Sequence, residues 1–309
     1  MAMVFPAPQA ASPAAARDGW APDAPGLTHV RDVWRLAWPA IAHMLLLTAV
    51  FVVDRAVIGR SSDDALASLQ ISTVLLWTLS SVFTAFSSAT LAIAGREIGG
   101  GNPREAARAA ATSITFAAVS GVVVAGAAWL SAPLVLGFAF PHAGTRVMAD
   151  VDAYLGVALV ALPLVFVEAA MAAVLQAAGD TKSPLRAALL GNALNLVLSS
   201  ALVFGVAGLP RLGVVGVAIG ASAAALTEVL VLAKVFASRG CAIDLRLAGS
   251  WDGALAKRLL AVASPAMADK LTYAGGYLAF VVLIGALGPL TMAANQVISS
   301  VEAVCFLTA

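Results

Sequence analysis

The sequence predicts an all-α, polytopic membrane protein, and three observations carry that prediction. Of its 309 residues 61% are hydrophobic and 11% charged, with a mean hydropathy of +0.94, whereas a soluble domain carries about 25% charged residues. Apolar stretches of roughly 20 residues, each long enough to cross a ~30 Å hydrocarbon core as a helix, recur along the chain. Turn-forming clusters separate them, among them Gly99-Gly100-Gly101-Asn102-Pro103, Gly179-Asp180-Thr181-Lys182-Ser183-Pro184 and Gly208-Leu209-Pro210.

The same composition excludes other classes. A net charge of +1 from 18 basic and 17 acidic residues leaves no basic excess for phosphates, so no nucleic-acid partner is expected. Cys241 and Cys305 form no CxxC pair, and His29, His43 and His142 are too scattered for a metal cluster. No phosphate-binding glycine loop follows a strand, and no nucleophile–base set stands out, which argues against an enzyme or a built-in ATP motor. No cofactor is expected.

Residues 1–30, rich in Ala and Pro without a signal-type apolar run, read as a disordered cytoplasmic tail. Eight spans follow, at roughly 36–58, 65–94, 107–130, 149–177, 185–206, 214–236, 258–285 and 290–309. With the N-terminus inside, one side collects Arg17, Arg31, Arg35, Arg96, Arg104, Arg108, Lys182, Arg186, Lys234, Arg239, Arg246, Lys257 and Arg258. The other collects Arg55, Arg60, Arg146 and Arg211. That asymmetry follows the positive-inside rule and predicts a multi-pass inner-membrane protein with a cytoplasmic N-terminus.

An offset of 226 positions aligns Leu36-Ala37-Trp38-Pro39-Ala40-Ile41-Ala42 with Val262-Ala263-Ser264-Pro265-Ala266-Met267-Ala268, and Ala67-Ser68-Leu69-Gln70 with Ala293-Ala294-Asn295-Gln296. The copies begin six spans apart, on the same side, as in parallel transporter repeats. This predicts an N-terminal six-helix lobe over 31–238, a cytoplasmic linker over 239–256, and the first two helices of a second lobe over 257–309. The second copy is short by four helices, so either the chain is C-terminally truncated or six plus two is its native form.

The chain resembles the multidrug and toxic compound extrusion (MATE) transporters over residues 31–309. The resemblance rests on Val52-Val53-Asp54-Arg55-Ala56-Val57-Ile58-Gly59, on Gly99 to Ala106, on Gln176-Ala177-Ala178 leading into the Gly179–Pro184 loop, on Asn192-Ala193-Leu194-Asn195, on Gly213 to Ala218 and on Ala293 to Gln296. It implies two six-helix lobes around a central cavity, alternating access, and export of small organic, often cationic, compounds in exchange for H+ or Na+. It also implies a cation-coupling site built by Asp54 and Asn195, with Asn192, Ser199 and Ser222 beside them. Three positions depart from the family: Ser199 stands where many members carry aspartate, Ala221 where threonine is common, and Arg55 where threonine usually follows the aspartate.

Ionisable groups within a span cost roughly 2.5–3.5 kcal/mol on insertion scales, so each needs a reason. Asp54 lies about 6 Å from the outer end of its helix. It either loads a coupling ion, or reaches interfacial water or an arginine such as Arg60. His43 lies eleven residues earlier on nearly the same face and is either a relay or a packing residue. Asn192, Asn195 and Ser199 share one stripe, which fits interhelical glue or a cation pocket. Glu168, and Glu228 in the sixth span, are cavity or ion-pairing residues. Lys270 shares a face with Tyr273 and Tyr277, and with Gln296 this face is the expected substrate wall; alternatively Lys270 pairs with Asp269 or Glu302. Two other functions fit the sequence: a lipid or lipid-linked precursor flippase of related architecture, for which Lys270 is the hint, and an inactive fragment.

Overall fold

The computed structural model describes residues 34, 38, 41–42, 45–46, 52–60, 62–141, 143–238, 243, 245 and 252–307, with 207, 289 and 300–307 described by backbone alone. The chain divides into two units, residues 1–38 and 39–309. In the first, Trp34 and Trp38 are helical; all that follows concerns the second.

Among its described residues the regular elements are all helices: α1 over 52–59, α2 Asp63–Gly99, α3 Pro103–Ala139, α4 Thr145–Ala177, α5 Lys182–Phe204, α6 Val214–Ala237, α7 Gly253–Gly285 and α8 Pro289–Leu307. Helices satisfy every backbone donor and acceptor internally, which a segment without water around it requires. The six from α2 to α7 are long and apolar enough to cross a membrane. The predicted segments from the second to the eighth thus recur in order as α2 to α8, and α1 is the described end of the first, with two differences. Pro39 and most of the first segment lie outside the described residues, and the 19-residue α8 is not among the six.

The ends also differ from expectation. The chain continues helically past residue 130 and through Pro133 to Ala139, and α7 begins at Gly253 rather than 258. There Asp252 caps the helix, its carboxylate accepting from the backbone N–H groups of Ala254 at 2.9 Å and Leu255 at 3.1 Å, which satisfies donors with no intrahelical partner. In the Gly179–Pro184 loop Asp180 does the same for α5, accepting from the N–H groups of Lys182 and Ser183.

Helices α2 and α4 form the middle of the bundle, each against several neighbours, and α5 pairs with α6. By contrast α3 presents Val122, Val123, Trp129, Leu130, Leu134 and Phe138 outward, the apolar surface expected toward lipid. The core is aromatic where α2, α3 and α4 meet. Phe83 stacks on Phe166 with centroids 4.1 Å apart, and Phe86 stacks on Phe116 at 4.4 Å. Removing the Phe166 ring leaves a void beside Phe83 that neighbouring helices fill poorly. Phe166→Ala is therefore expected to lower unfolding stability by about 3 kcal/mol, read by denaturant unfolding in mixed micelles, with Phe166→Leu losing much less.

Small residues set the closest approaches. A Cβ on Gly121 of α3 would lie 2.6 Å from Cα of Pro163 in α4, and one on Gly216 of α6 would lie 2.9 Å from Cβ of Leu202 in α5. Gly216 and Gly220 form a G-x-x-x-G pair, the spacing that lets two membrane helices pack backbone to backbone. Helix α7 lies along α2, and α8 also packs on α2. At their far ends Glu97 of α2 and Arg258 of α7 face each other at 4.0 Å.

Candidate functional site

The close α5–α6 crossing brings the polar stripe of α5 toward the end of α1. Asn195 is buried, and its Nδ2 donates to Oδ2 of Asp54 at 3.3 Å, across 141 positions of sequence. Ser199, one turn further on and equally buried, donates from Oγ to Oδ1 of Asn195 at 2.8 Å. A carboxylate, an amide and a hydroxyl thus form one chain from α1 into α5. Gly220 of α6 makes room for it: a Cβ there would stand 2.6 Å from Oδ1 of Asn195 and overlap Oγ of Ser199. Tyr154 of α4, buried, stands within electrostatic reach of both Asp54 and Arg55.

Two residues expected in this cluster satisfy themselves on their own helices instead. Asn192 donates to the carbonyl of Ala188 at 2.8 Å, and Ser222 donates to the carbonyl of Ala218 at 2.7 Å. Each sits one turn from its acceptor, where a short polar side chain reaches the i−4 carbonyl easily. Glu168 and Glu228 form a separate pair, close enough to influence each other electrostatically. Glu228 lies over Gly191 of α5, where a Cβ would come within 2.6 Å of its Cγ.

Arg55 is the largest departure from the sequence reading, which counted it among outer-side charges. It is only 7% exposed. With the Gln296 amide oriented to satisfy its neighbours, Gln296 Oε1 accepts from Arg55 Nε at 2.7 Å and Nη2 at 2.9 Å, and Gln296 Nε2 donates to Oε1 of Gln70. A guanidinium fork on one carbonyl oxygen is a well-directed arrangement for a cation removed from water.

The expected substrate wall gains a member that the sequence did not single out. Trp77 of α2 meets Tyr273 and Tyr277 edge-on at 5.7 and 5.8 Å, the T-shaped geometry that aromatic quadrupoles favour. Tyr277 also shares a hydrogen bond with Ser299 of α8. Trp77, Tyr273, Lys270 and Asp269 are exposed. His43 and the side chain of Glu302 lie outside the described residues. Among the described residues no group of three His, Cys, Asp or Glu side chains could hold a metal.

These features define a class: a polytopic helical membrane protein with a polar chain between its helices that ends on one half-buried carboxylate. The chain belongs to the MatE family, whose sequence pattern matches residues 39–201, a family of transporters rather than enzymes. It is 27% identical over 286 residues to the "Probable multidrug resistance protein NorM" of Thermotoga maritima, covering 90% of this chain and 60% of that protein. It is 25% identical to the protein of the same name in Bradyrhizobium diazoefficiens, covering 89% and 59%. The fold is similar to an inward-facing multidrug resistance MATE family transporter, with a TM-score of 0.76, 19% identity and coverage of 84% and 59%. It is also similar to the bent form of the Vibrio cholerae MATE transporter VcmN, with a TM-score of 0.75, 21% identity and coverage of 91% and 63%. The chain spans about 60% of the length of these relatives.

Proposed function

We propose that the protein exports small organic compounds across a bacterial plasma membrane in exchange for H+ or Na+, by alternating access between a lobe over 31–238 and a second lobe starting at 257, with its N-terminus cytoplasmic. The observation that carries this reading is the Asp54–Asn195–Ser199 chain, a carboxylate inside the bundle with an amide donor on it and a hydroxyl behind. Such a group is costly in a membrane, and residues of this kind within spans mark ion or proton paths. One carboxylate met by an N–H donor suits a single proton better than Na+, which needs a shell of oxygens. The Trp77–Tyr273–Tyr277 cluster, with Trp77 and Tyr273 exposed and Tyr277 half-buried, offers flat apolar surface with polar tips for an organic substrate. The names of the relatives support drugs as the substrate class.

The test is the full-length protein in proteoliposomes, with ethidium as probe and an imposed H+ or Na+ gradient. Movement of ethidium against its gradient under one of the two is expected, and no movement under either contradicts the reading.

A further inference from the structure

The Gln70–Gln296 contact is unusual in one respect: the two residues are 226 positions apart, the offset of the internal repeat. Under a two-fold relation a residue meets its own counterpart only on the axis. These buried amides therefore mark where α2 and α8, counterparts in the repeat, cross that axis. Here the symmetry breaks. The counterpart of Arg55 is Val281, fully buried, so one half brings a guanidinium to the junction and the other an apolar side chain. The cation reaches across, holding the carbonyl oxygen of Gln296 through two nitrogens, while the same amide donates to Gln70. Gln70 Nε2 is itself buried without a partner, so this arrangement leaves one donor unspent.

We propose that Arg55, Gln70 and Gln296 form a lock across the repeat axis that holds the bundle shut on the side where α1 ends and α2 begins. The inference rests on the alternating-access reading above, in which that side is the outer one. The lock works because its parts cannot separate without cost: parting α2 from α8 breaks both hydrogen bonds from the guanidinium to Gln296 in a place where water is scarce. It is also placed to sense the ion site. Arg55 follows Asp54 directly in the chain, and the charged and titratable groups around it among the described residues include Asp54, Tyr154 and Tyr277.

The experiment places spin labels at Arg60→Cys and Ala286→Cys, exposed repeat counterparts near the α1–α2 and α7–α8 turns, in the full-length protein lacking its native cysteines, and reads their separation by pulsed electron resonance. The wild-type background should give mainly a short distance. Arg55→Met and Gln296→Leu should each move most of the population to a longer one, roughly a tenfold change in the closed-to-open ratio, and the double variant should add nothing further. Arg55→Lys, which keeps a donor, should restore part of the short population. Distances unchanged in both single variants, each monodisperse, overturn the lock. Additive shifts in the double variant overturn it equally, because the side chains would then act separately. Ethidium transport is measured alongside in the unmodified protein: its absence sinks the transport reading, whereas the distance data alone decide the lock.

Discussion

Asp54→Asn in the full-length protein is expected to lower gradient-driven efflux roughly ten- to hundredfold, the loss of a typical coupling free energy, while leaving assembly intact. The substitution keeps the size of the side chain and an oxygen able to accept from Asn195, so the Asn195–Ser199 chain retains its geometry. What disappears is the charge. If transport requires an ion to load and leave this position, the variant is fixed in one charge state and an imposed gradient no longer drives it. Exchange of substrate at equal ion concentrations, which needs no net ion movement, should persist at near the wild-type rate. Loss of both activities would point instead to a structural role, and retention of gradient-driven efflux would remove Asp54 from the mechanism.

A second large effect is expected at a residue with no side chain. Gly220→Val places three carbons where even one would lie 2.6 Å from Asn195 Oδ1 and overlap Ser199 Oγ. Helix α6 must then move off α5, or the hydroxyl–amide bond must break. Overpacking costs about 1–3 kcal/mol, and orphaning a buried polar group about 1–3 kcal/mol more. The variant is expected to lose about 3 kcal/mol of stability together with coupled transport. Gly126→Val in α3, where nothing lies within 4 Å of the added Cβ, is the matched control and should change neither. Thermal unfolding in detergent reads both variants, and equal stability of the two would show that α6 yields easily around Gly220.

The contrast between these two sites shows what the sequence exposes. Apolar runs of membrane length, cut by Gly/Pro/Asn turns, placed the helices in order, because a bilayer leaves a chain few other forms. Helix ends were less visible. Pro133 resembles a stop, yet α3 continues through it. The pairing of Asp54 with Asn195 spans 141 positions, and no local pattern encodes it; the expectation came from the family resemblance. The stripe of Asn192, Asn195 and Ser199 was readable from its spacing, but not which members face α1 and which turn back on their own helix. Gly216 and Gly220 carried an audible signal in their four-residue spacing. The signal for Trp77 and Tyr154 was absent, since polar and apolar residues are spread almost evenly around α2 and α4 and nothing in the pattern tells an interior position from a lipid-facing one.

Arg55 teaches the opposite lesson. Counting charges by loop assigned it to the outer surface, because position near a helix end usually means exposure. In the structure its guanidinium meets Gln296 of α8, which in turn meets Gln70 of α2. The alignment of the two glutamines was visible in the sequence; that they touch, and that one of them accepts from Arg55, was not.

The central claim is that Asp54 is the group that carries the coupling ion, and the most direct measurement counts ions. Proton uptake by the purified full-length protein in lightly buffered detergent, followed with an indicator dye, and binding of radioactive Na+ under the same conditions, are compared between wild type and Asp54→Asn. The account predicts that one of the two counts falls by about one ion per chain in the variant, with its unfolding midpoint unchanged. Identical counts for both ions would contradict it.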